Sequence, residues 1–157
     1  FENNEHILEL IFKEGSYIKR RIHSPEIDKN VSMVAQHVLV RKNLIPLQRL
    51  LAKGKSVVME GRDIGSVILP NAELKFYLIA NEDNRINRRY KELKKNGYKI
   101  SMNEVKAEII KRDAIDRKRS FAPLVIPKDA IIVDTSDKSI EDIISLILDV
   151  FKKQESH

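Results

Sequence analysis

The sequence predicts an α/β domain with a mainly parallel sheet. Three apolar runs, at residues 57–59, 74–79 and 130–133, have the continuous hydrophobic character of strands that are buried on both faces. Segments with helical patterning separate these runs, and strands that alternate with helices are typical of parallel α/β sheets. The 157 residues contain no repeat and are sufficient for one domain with its own core.

The first part of the chain predicts a hairpin followed by a long helix. Residues 7–12 and 17–21 resemble two short strands joined by a Gly-Ser turn at Gly15 and Ser16. Residues 31–53 have a helical pattern that contains Pro46. Because proline cannot donate a backbone hydrogen bond, we expect this helix to bend near Lys42.

Helix start and stop signals define the later elements. A polar helix is predicted over residues 81–95, with Asn96 and Gly97 as its stop. Ser101 and Glu104 form a capping-box pattern that begins a helix running towards Lys118. Ser139 caps a last, amphipathic helix. The apolar stripe of that helix consists of Ile140, Ile143, Ile144, Ile147, Leu148 and Phe151.

Composition and charge restrict the class of protein. The chain has no cysteine, no apolar run of membrane-spanning length and no signal-peptide pattern, so neither disulfides nor a membrane is expected and we expect a cytoplasmic location. The net charge is +6, and residues 85–119 hold 13 Lys/Arg against 5 Asp/Glu. Such a concentration favours an anionic partner, although a solvated pair of helices explains the charge alone equally well.

The tract from Glu60 to Gly65 is the strongest functional signal. Arg62 and Asp63 stand between two glycines directly after an apolar run. Ligands bind at the carboxyl ends of strands in open parallel sheets, and glycines let the backbone approach a ligand closely. The tract therefore predicts a ligand-binding loop.

Two arginine-rich tracts indicate a phosphate-binding surface. Arg112, Asp116 and Arg119 would share one face of an unbroken helix, where the carboxylate can orient arginine forks towards phosphate or ribose oxygens. A similar spacing occurs on the preceding helix, at Arg85, Arg88 and Arg89. These two helices could close over a polyphosphate as a lid, but an ordinary salt-bridged surface explains either tract taken alone.

Other chemistries lack support in the sequence. Gly54-Lys55-Ser56 resembles the end of a P-loop, but Arg49 stands where the first glycine belongs, so we interpret the tripeptide as a helix stop. The four histidines have no metal-ligand spacing, and no metal ligand is expected. Few aromatic residues accompany the basic region, which argues against nucleic-acid binding.

These motifs, taken together, resemble bacterial cytidylate kinases over nearly the whole chain. The resemblance lies in the glycine-flanked tract at 61–65, the pattern at 112–119, Ala122-Pro-Leu-Val125, Asp129-Ala130 and Asp134-Thr135-Ser136. It implies ATP-dependent phosphorylation of CMP and dCMP, with ATP and Mg²⁺ as the donor. The alternatives are a related nucleoside-monophosphate kinase with another base preference, and a non-catalytic basic module that binds RNA or a partner.

The resemblance also implies a role for each site residue. Ser32, Arg41 and Asp63 would read the cytosine, Arg62 and Arg119 would hold the CMP phosphate, and Arg112 and Asp116 would hold the ribose. Arg85, Arg88 and Arg89 would meet the ATP phosphates, and the catalytic set would be Arg62, Arg85, Arg88 and Arg119. Since nine residues correspond to about 900° of helix, Ser32 and Arg41 can share one base only if the helix breaks between them.

The implied fold is a P-loop NTPase-like, three-layer parallel sheet with helices on both faces, a small antiparallel β insert and a helical lid. In this interpretation residues 1–30 are the nucleotide-binding β insert, 31–80 and 120–157 belong to the core, and 81–119 form the lid region. The family's P-loop and its magnesium-binding hydroxyl would precede Phe1, so we expect a longer protein that is monomeric when complete. The 157 residues alone are expected to be inactive.

Overall fold

The computed structural model of the chain describes residues 24–155. The predicted hairpin at 7–12 and 17–21 lies outside the described residues. The described part contains five α-helices, one π-helical turn and two strands. In chain order these are α1 (Pro25–Ala35), α2 (Val38–Ala52), the π-helical turn (Ile64–Ile68), β1 (Phe76–Ile79), α3 (Glu82–Lys95), α4 (Met102–Lys118), β2 (Ile131–Asp134) and α5 (Ile140–Glu155).

The two strands form a parallel pair, which confirms the predicted sheet type. Phe76 is paired with Ile131 and Ile79 with Asp134. The prediction that both strands are buried on both faces is wrong for the described residues, because Leu78 and Ile132 are more than half exposed. No described element covers these positions.

The predicted strand at residues 57–59 is also wrong. These residues pair with no strand in the described part of the chain, and the side chain of Val58 is fully exposed at 103%. An apolar run becomes a strand only when a neighbouring strand accepts its backbone hydrogen bonds. Between residues 24 and 155 the sheet has only β1 and β2.

The long helix expected at 31–53 consists of two helices, of which the second continues through Lys42 and Pro46. The first begins at Pro25, after a Ser24 cap whose hydroxyl accepts a hydrogen bond from the amide of Ile27. The break lies at His37, whose ψ of 114° takes the backbone out of the helical region. Pro46 is accommodated inside α2, where it removes a single backbone donor.

Helices α3 and α4 pair as a hairpin whose ends agree with the prediction. Gly97 has a φ of +84°, and the amides of Gly97 and Tyr98 donate to the carbonyls of Lys94 and Leu93, which is a Schellman stop. The capping box of Ser101 and Glu104 is present. The core of the hairpin contains Ile86, Leu93 and Val105, with Tyr90, Tyr98, Ile100 and Ile109 packed against it.

The last helix begins where the sequence predicts. Ser139 and Asp142 exchange side-chain-to-backbone hydrogen bonds at the start of α5. Its apolar stripe faces solvent in the described structure, where Ile140, Ile144, Leu148 and Phe151 are all exposed. Among the residues described, no helix has the length and apolar character needed to cross a membrane.

Candidate nucleotide-binding site

A buried ion pair stands at the centre of the candidate site. The carboxylate of Asp116, on α4, lies 3.5 Å from Nη1 of Arg119, and each side chain is 3% exposed. The sequence had suggested that Arg112, Asp116 and Arg119 lie on one unbroken helix. This is wrong for Arg119, because α4 ends at Lys118. The extended backbone of Arg119 (ψ 134°) nevertheless brings the guanidinium back to Asp116.

Arg62 joins the loop before the π-helical turn to this pair. It donates a hydrogen bond to Asp113, and its Nε lies 2.5 Å from Oδ2 of Asp116. Arg85, on α3, pairs with the other oxygen of Asp113 at 2.7 Å. Two segments that are distant in sequence, the loop of Arg62 and helix α3, therefore converge on two carboxylates of α4. Sequence reasoning gave Asp113 no role, although its position three residues before Asp116 places it on the same helix face.

A second buried pair lies beside the first. Arg41, on α2, donates a hydrogen bond to Asp63, and each side chain is 11% exposed. Burial lowers the pKa of Arg41, the charge of Arg119 lowers it further, and Asp116 raises it, so the two pairs share one electrostatic environment. The break at His37 is the change of helix direction that sequence reasoning required between Ser32 and Arg41. Ser32, 4% exposed, is buried on α1.

The glycines of the 61–65 tract act through close contacts. Neither Gly61 nor Gly65 has a positive φ. A Cβ on Gly65 would lie 3.1 Å from the ring of Pro127, and one on Gly61 would lie 3.0 Å from Ile64. The loop that carries Arg62 is thus packed tightly on both sides.

Arg49 fixes the other end of this loop, a role that no sequence pattern predicted. Its Nε donates to the carbonyl of Ile68 at 2.9 Å, and its Nη2 donates to that of Val67 at 2.7 Å. These carbonyls end the π-helical turn and have no later helical amide to accept from. A cation at the end of a helical turn is favourable for the same reason.

The arginines of α3 point in different directions. Arg89 pairs with Asp28 of α1 and, at 2.7 Å, with Glu92. Arg88 instead donates to the hydroxyl of Thr135 at 2.9 Å and to its carbonyl oxygen. Arg85 and Arg89 therefore belong to the cluster, whereas Arg88 holds α3 to the end of β2.

Burial perturbs the charged groups of the cluster. Desolvation lowers the pKa values of Arg112 and Arg119, and the charge of Arg62 lowers both further. Burial alone would raise the pKa of Asp113, but hydrogen bonds from Arg85 and Arg62 outweigh it and hold that pKa below its usual range. Several buried nitrogens have no hydrogen-bond acceptor among the described residues, namely Nε of Arg41 and Arg112 and Nε and Nη2 of Arg119. Nε of Arg62 is ion-paired with Oδ2 of Asp116 without a hydrogen bond between the two atoms.

Such a set of donors suits an anionic ligand with several oxygens. Arginine binds phosphate through two parallel hydrogen bonds, and a buried donor that lacks an acceptor costs free energy until a ligand supplies one. Among the described residues no group of three or more His, Asp or Glu side chains could hold a metal ion. The donors that the described residues offer an anion in this cluster are therefore arginine nitrogens.

Comparison with known proteins decides the family. The family model described as cytidylate kinase matches residues 2–153. The chain belongs to the cytidylate kinase family. It is 45% identical over 150 residues to a cytidylate kinase of Alkaliphilus oremlandii, covering 96% of this chain and 69% of the relative.

Two further relatives give the same result. A cytidylate kinase of Thermosipho melanesiensis is 46% identical, with 91% of this chain and 66% of the relative covered. One of Caldanaerobacter subterraneus subsp. tengcongensis is 43% identical, with 92% and 65% covered. The chain thus spans about two thirds of the length of these relatives.

Family membership confirms the main functional prediction. The resemblance identified from the motifs is correct, and the kinase class and the cytidylate kinase function follow from it. Another base preference and a non-catalytic RNA-binding module are not favoured. The family implies a P-loop NTPase fold, with which the helices and parallel strands agree.

Proposed function

We propose that the protein transfers the terminal phosphoryl group of ATP to CMP or dCMP, and that this chain supplies the CMP-binding side. The observation that carries the proposal is the ion-paired cluster of Arg62, Asp116 and Arg119, in which Nε and Nη2 of the buried Arg119 lack acceptors among the described residues. The phosphate of CMP supplies such acceptors. Phosphoryl transfer depends mainly on positioning and electrostatic stabilisation, which an arginine cluster provides.

In this proposal Arg62 and Arg119 hold the CMP phosphate. Arg119 is fixed by Asp116, and Arg62 is fixed by both carboxylates of α4, so each guanidinium is oriented before the ligand arrives. Preorganised donors bind without the entropy loss of immobilising long side chains. Arg112 and Asp116 hold the ribose.

The pair of Arg41 and Asp63 is proposed to read the cytosine, with Ser32 nearby on α1. Cytosine offers an amino donor beside two acceptors. The carboxylate of Asp63 can accept from the amino group, while Arg41 donates to the acceptor side. Uracil reverses the hydrogen-bonding pattern at two positions and would leave the buried pair unmatched. The pair therefore selects CMP over UMP.

In this proposal the ATP phosphates are bound by Arg85 and Arg89 of the proposed lid, with Arg88 as a third arginine. Arg85 and Arg89 lie in the cluster and can exchange their carboxylate partners for ATP oxygens. Arg88 would first have to leave Thr135. When bound, Mg²⁺ neutralises charge on the ATP phosphates. The described residues do not form a site for it, and its ligands are proposed to lie elsewhere in the protein.

The remaining features of the proposal concern the whole protein. We propose three layers around the parallel sheet, an antiparallel insert within residues 1–30, a lid at 81–119, a monomeric state and a cytoplasmic location. The partners are small nucleotides, with no nucleic acid or membrane.

An activity assay tests the proposed function. ADP release from ATP-Mg²⁺ by the full-length protein is measured with CMP, UMP and AMP in parallel, and with each nucleotide omitted in turn. We expect release that depends on CMP and is much slower with UMP or AMP. Equal rates with all three would contradict the assignment of the base. Salt-sensitive RNA binding with no response to CMP would instead support a nucleic-acid-binding module.

A further inference from the structure

The carboxylate of Asp28 connects two helices that carry arginines of the site. Asp28 lies near the start of α1, and one of its oxygens pairs with Arg89 of α3. Its other oxygen lies 3.6 Å from Nη1 of Arg112 on α4. The side chain of Asp28 is three-quarters buried, with 24% exposed. One carboxylate thereby joins α1, α3 and α4.

Arg112 depends on the Asp28 carboxylate more than Arg89 does. Arg89 has Glu92 as a second partner, whereas Asp28 is the one carboxylate within ion-pair distance of Arg112 in the described part of the chain. Burial and the charge of Arg62 lower the pKa of Arg112, the charges of Asp116 and Asp113 raise it, and the charge of Arg89 lowers it least. Asp28 is thus the described carboxylate that holds this partly buried arginine by an ion pair.

The position of Asp28 also relates it to the base side of the site. Asp28 and Ser32 are four residues apart on α1 and share one face of that helix. Helix α1 packs against α4. The same face that carries the buried Ser32 therefore carries the carboxylate that orients Arg112.

We infer that Asp28 is a positioning residue, which holds Arg112 in place for the ribose hydroxyls of the bound nucleotide. The inference rests on the proposed function and adds a residue from α1 to the sugar side of the site. Asp28 touches neither phosphate nor base in this account. Its effect is confined to ligands that have ribose hydroxyls for Arg112 to contact.

A comparison of two ligands on four proteins tests this inference. The dissociation constants of CMP and 2′,3′-dideoxy-CMP are measured by calorimetry for the unaltered chain, Asp28→Asn, Asp28→Glu and Glu26→Gln. Glu26 is the matched control, because it lies on the same first turn of α1, is exposed and loses the same charge. Thermal melting of each variant accompanies the titrations.

We expect the unaltered chain to bind CMP about tenfold more tightly than the dideoxy nucleotide, which corresponds to about 1.4 kcal/mol. Asp28→Asn should reduce this ratio to about twofold by weakening CMP alone, while Glu26→Gln leaves it unchanged. Asp28→Glu keeps the carboxylate and should restore most of the ratio. This rescue separates orientation of Arg112 from a general loss of folding.

Two results would overturn the inference but not the proposed function. One is a ratio of the two dissociation constants in Asp28→Asn equal to that in Glu26→Gln, and the other is equal weakening of the binding of both nucleotides by Asp28→Asn. The same holds if the unaltered chain binds CMP but does not distinguish the two nucleotides. Failure of the unaltered chain to bind either ligand would overturn the proposed function together with the inference.

Discussion

Asp116 and Arg119 form an ion pair with an N–O distance of 3.5 Å in which both side chains are almost completely buried. Burying two charges costs several kcal/mol of desolvation for each, and their attraction offsets this only when the remaining polar atoms are hydrogen-bonded. Here Nε and Nη2 of Arg119 have no acceptor among the described residues. Stability alone gives no reason for such an arrangement, whereas an anionic ligand that completes the hydrogen bonds does.

The first prediction concerns Arg119. Replacing it by alanine should weaken the binding of CMP by about 10- to 100-fold, because a hydrogen bond to a charged group contributes about 1.5–3 kcal/mol. The binding of cytidine, which lacks the phosphate, should weaken far less. Calorimetric titration with both ligands measures the difference, and Arg117→Ala, in the last turn of α4, is a control. Equal weakening of CMP and cytidine would mean that Arg119 has only a structural role.

The second prediction concerns Asp63. Asp63→Ala should reduce the preference for CMP over UMP by about 1–3 kcal/mol, the usual value of one good bidentate contact with a base. Competition binding with the two nucleotides measures the preference. The exposed Asp137 provides the control substitution Asp137→Ala. Selectivity that survives the loss of Asp63 would exclude it from base reading.

The third prediction is a dependence of stability on pH. Hydrogen bonds from Arg85 and Arg62 hold the pKa of Asp113 below its usual range against the opposing effect of burial. Because the pKa is lower in the folded state, the stabilisation is complete above the unfolded value of about 3.9 and is lost as the pH falls through the folded value. Asp113→Asn should therefore be less stable at pH 7 and should lose less stability on acidification. Urea unfolding at pH 7, 5 and 3 tests this, and parallel pH profiles would contradict it.

The fourth prediction concerns the contact between α3 and the sheet. Thr135 accepts a hydrogen bond from Arg88 at 2.9 Å and donates one to the carbonyl of Ile79 at 3.0 Å. Thr135→Val removes both and should lower the free energy of unfolding by about 1–3 kcal/mol. Chemical denaturation measures the change, with Ser145→Ala on the exposed side of α5 as the control. No change in stability would contradict a stabilising role for the Thr135 hydroxyl.

Local signals in the sequence predicted the helices well. The Ser101 capping box and the Asn96-Gly97 stop are patterns of neighbouring residues, and the structure contains both. The strand at 57–59 failed because a strand depends on a partner that the local sequence does not contain. The position of the helix break, at His37, was not predicted for another reason. Pro46 is a stronger helix-breaking signal, yet α2 continues through it.

The sequence predicted which residues form the candidate site more accurately than it predicted the contacts between them. The arginines and aspartates of the two motifs do converge, with the exception of Arg88. Asp28 and Arg49 were missed because their partners lie 18 or more residues away, and neither residue stands in a distinctive pattern. Only the packing of α1 and α2 gives them a role.

A calorimetric titration of this chain with CMP, UMP and AMP at one ionic strength is the decisive experiment for the candidate site. The claim is that the buried arginine–aspartate cluster binds cytidine monophosphate. It predicts saturable, one-to-one binding of CMP, with UMP weaker by about 1–3 kcal/mol and AMP weaker still. Equal affinity for the three nucleotides, or no binding of CMP, would contradict it.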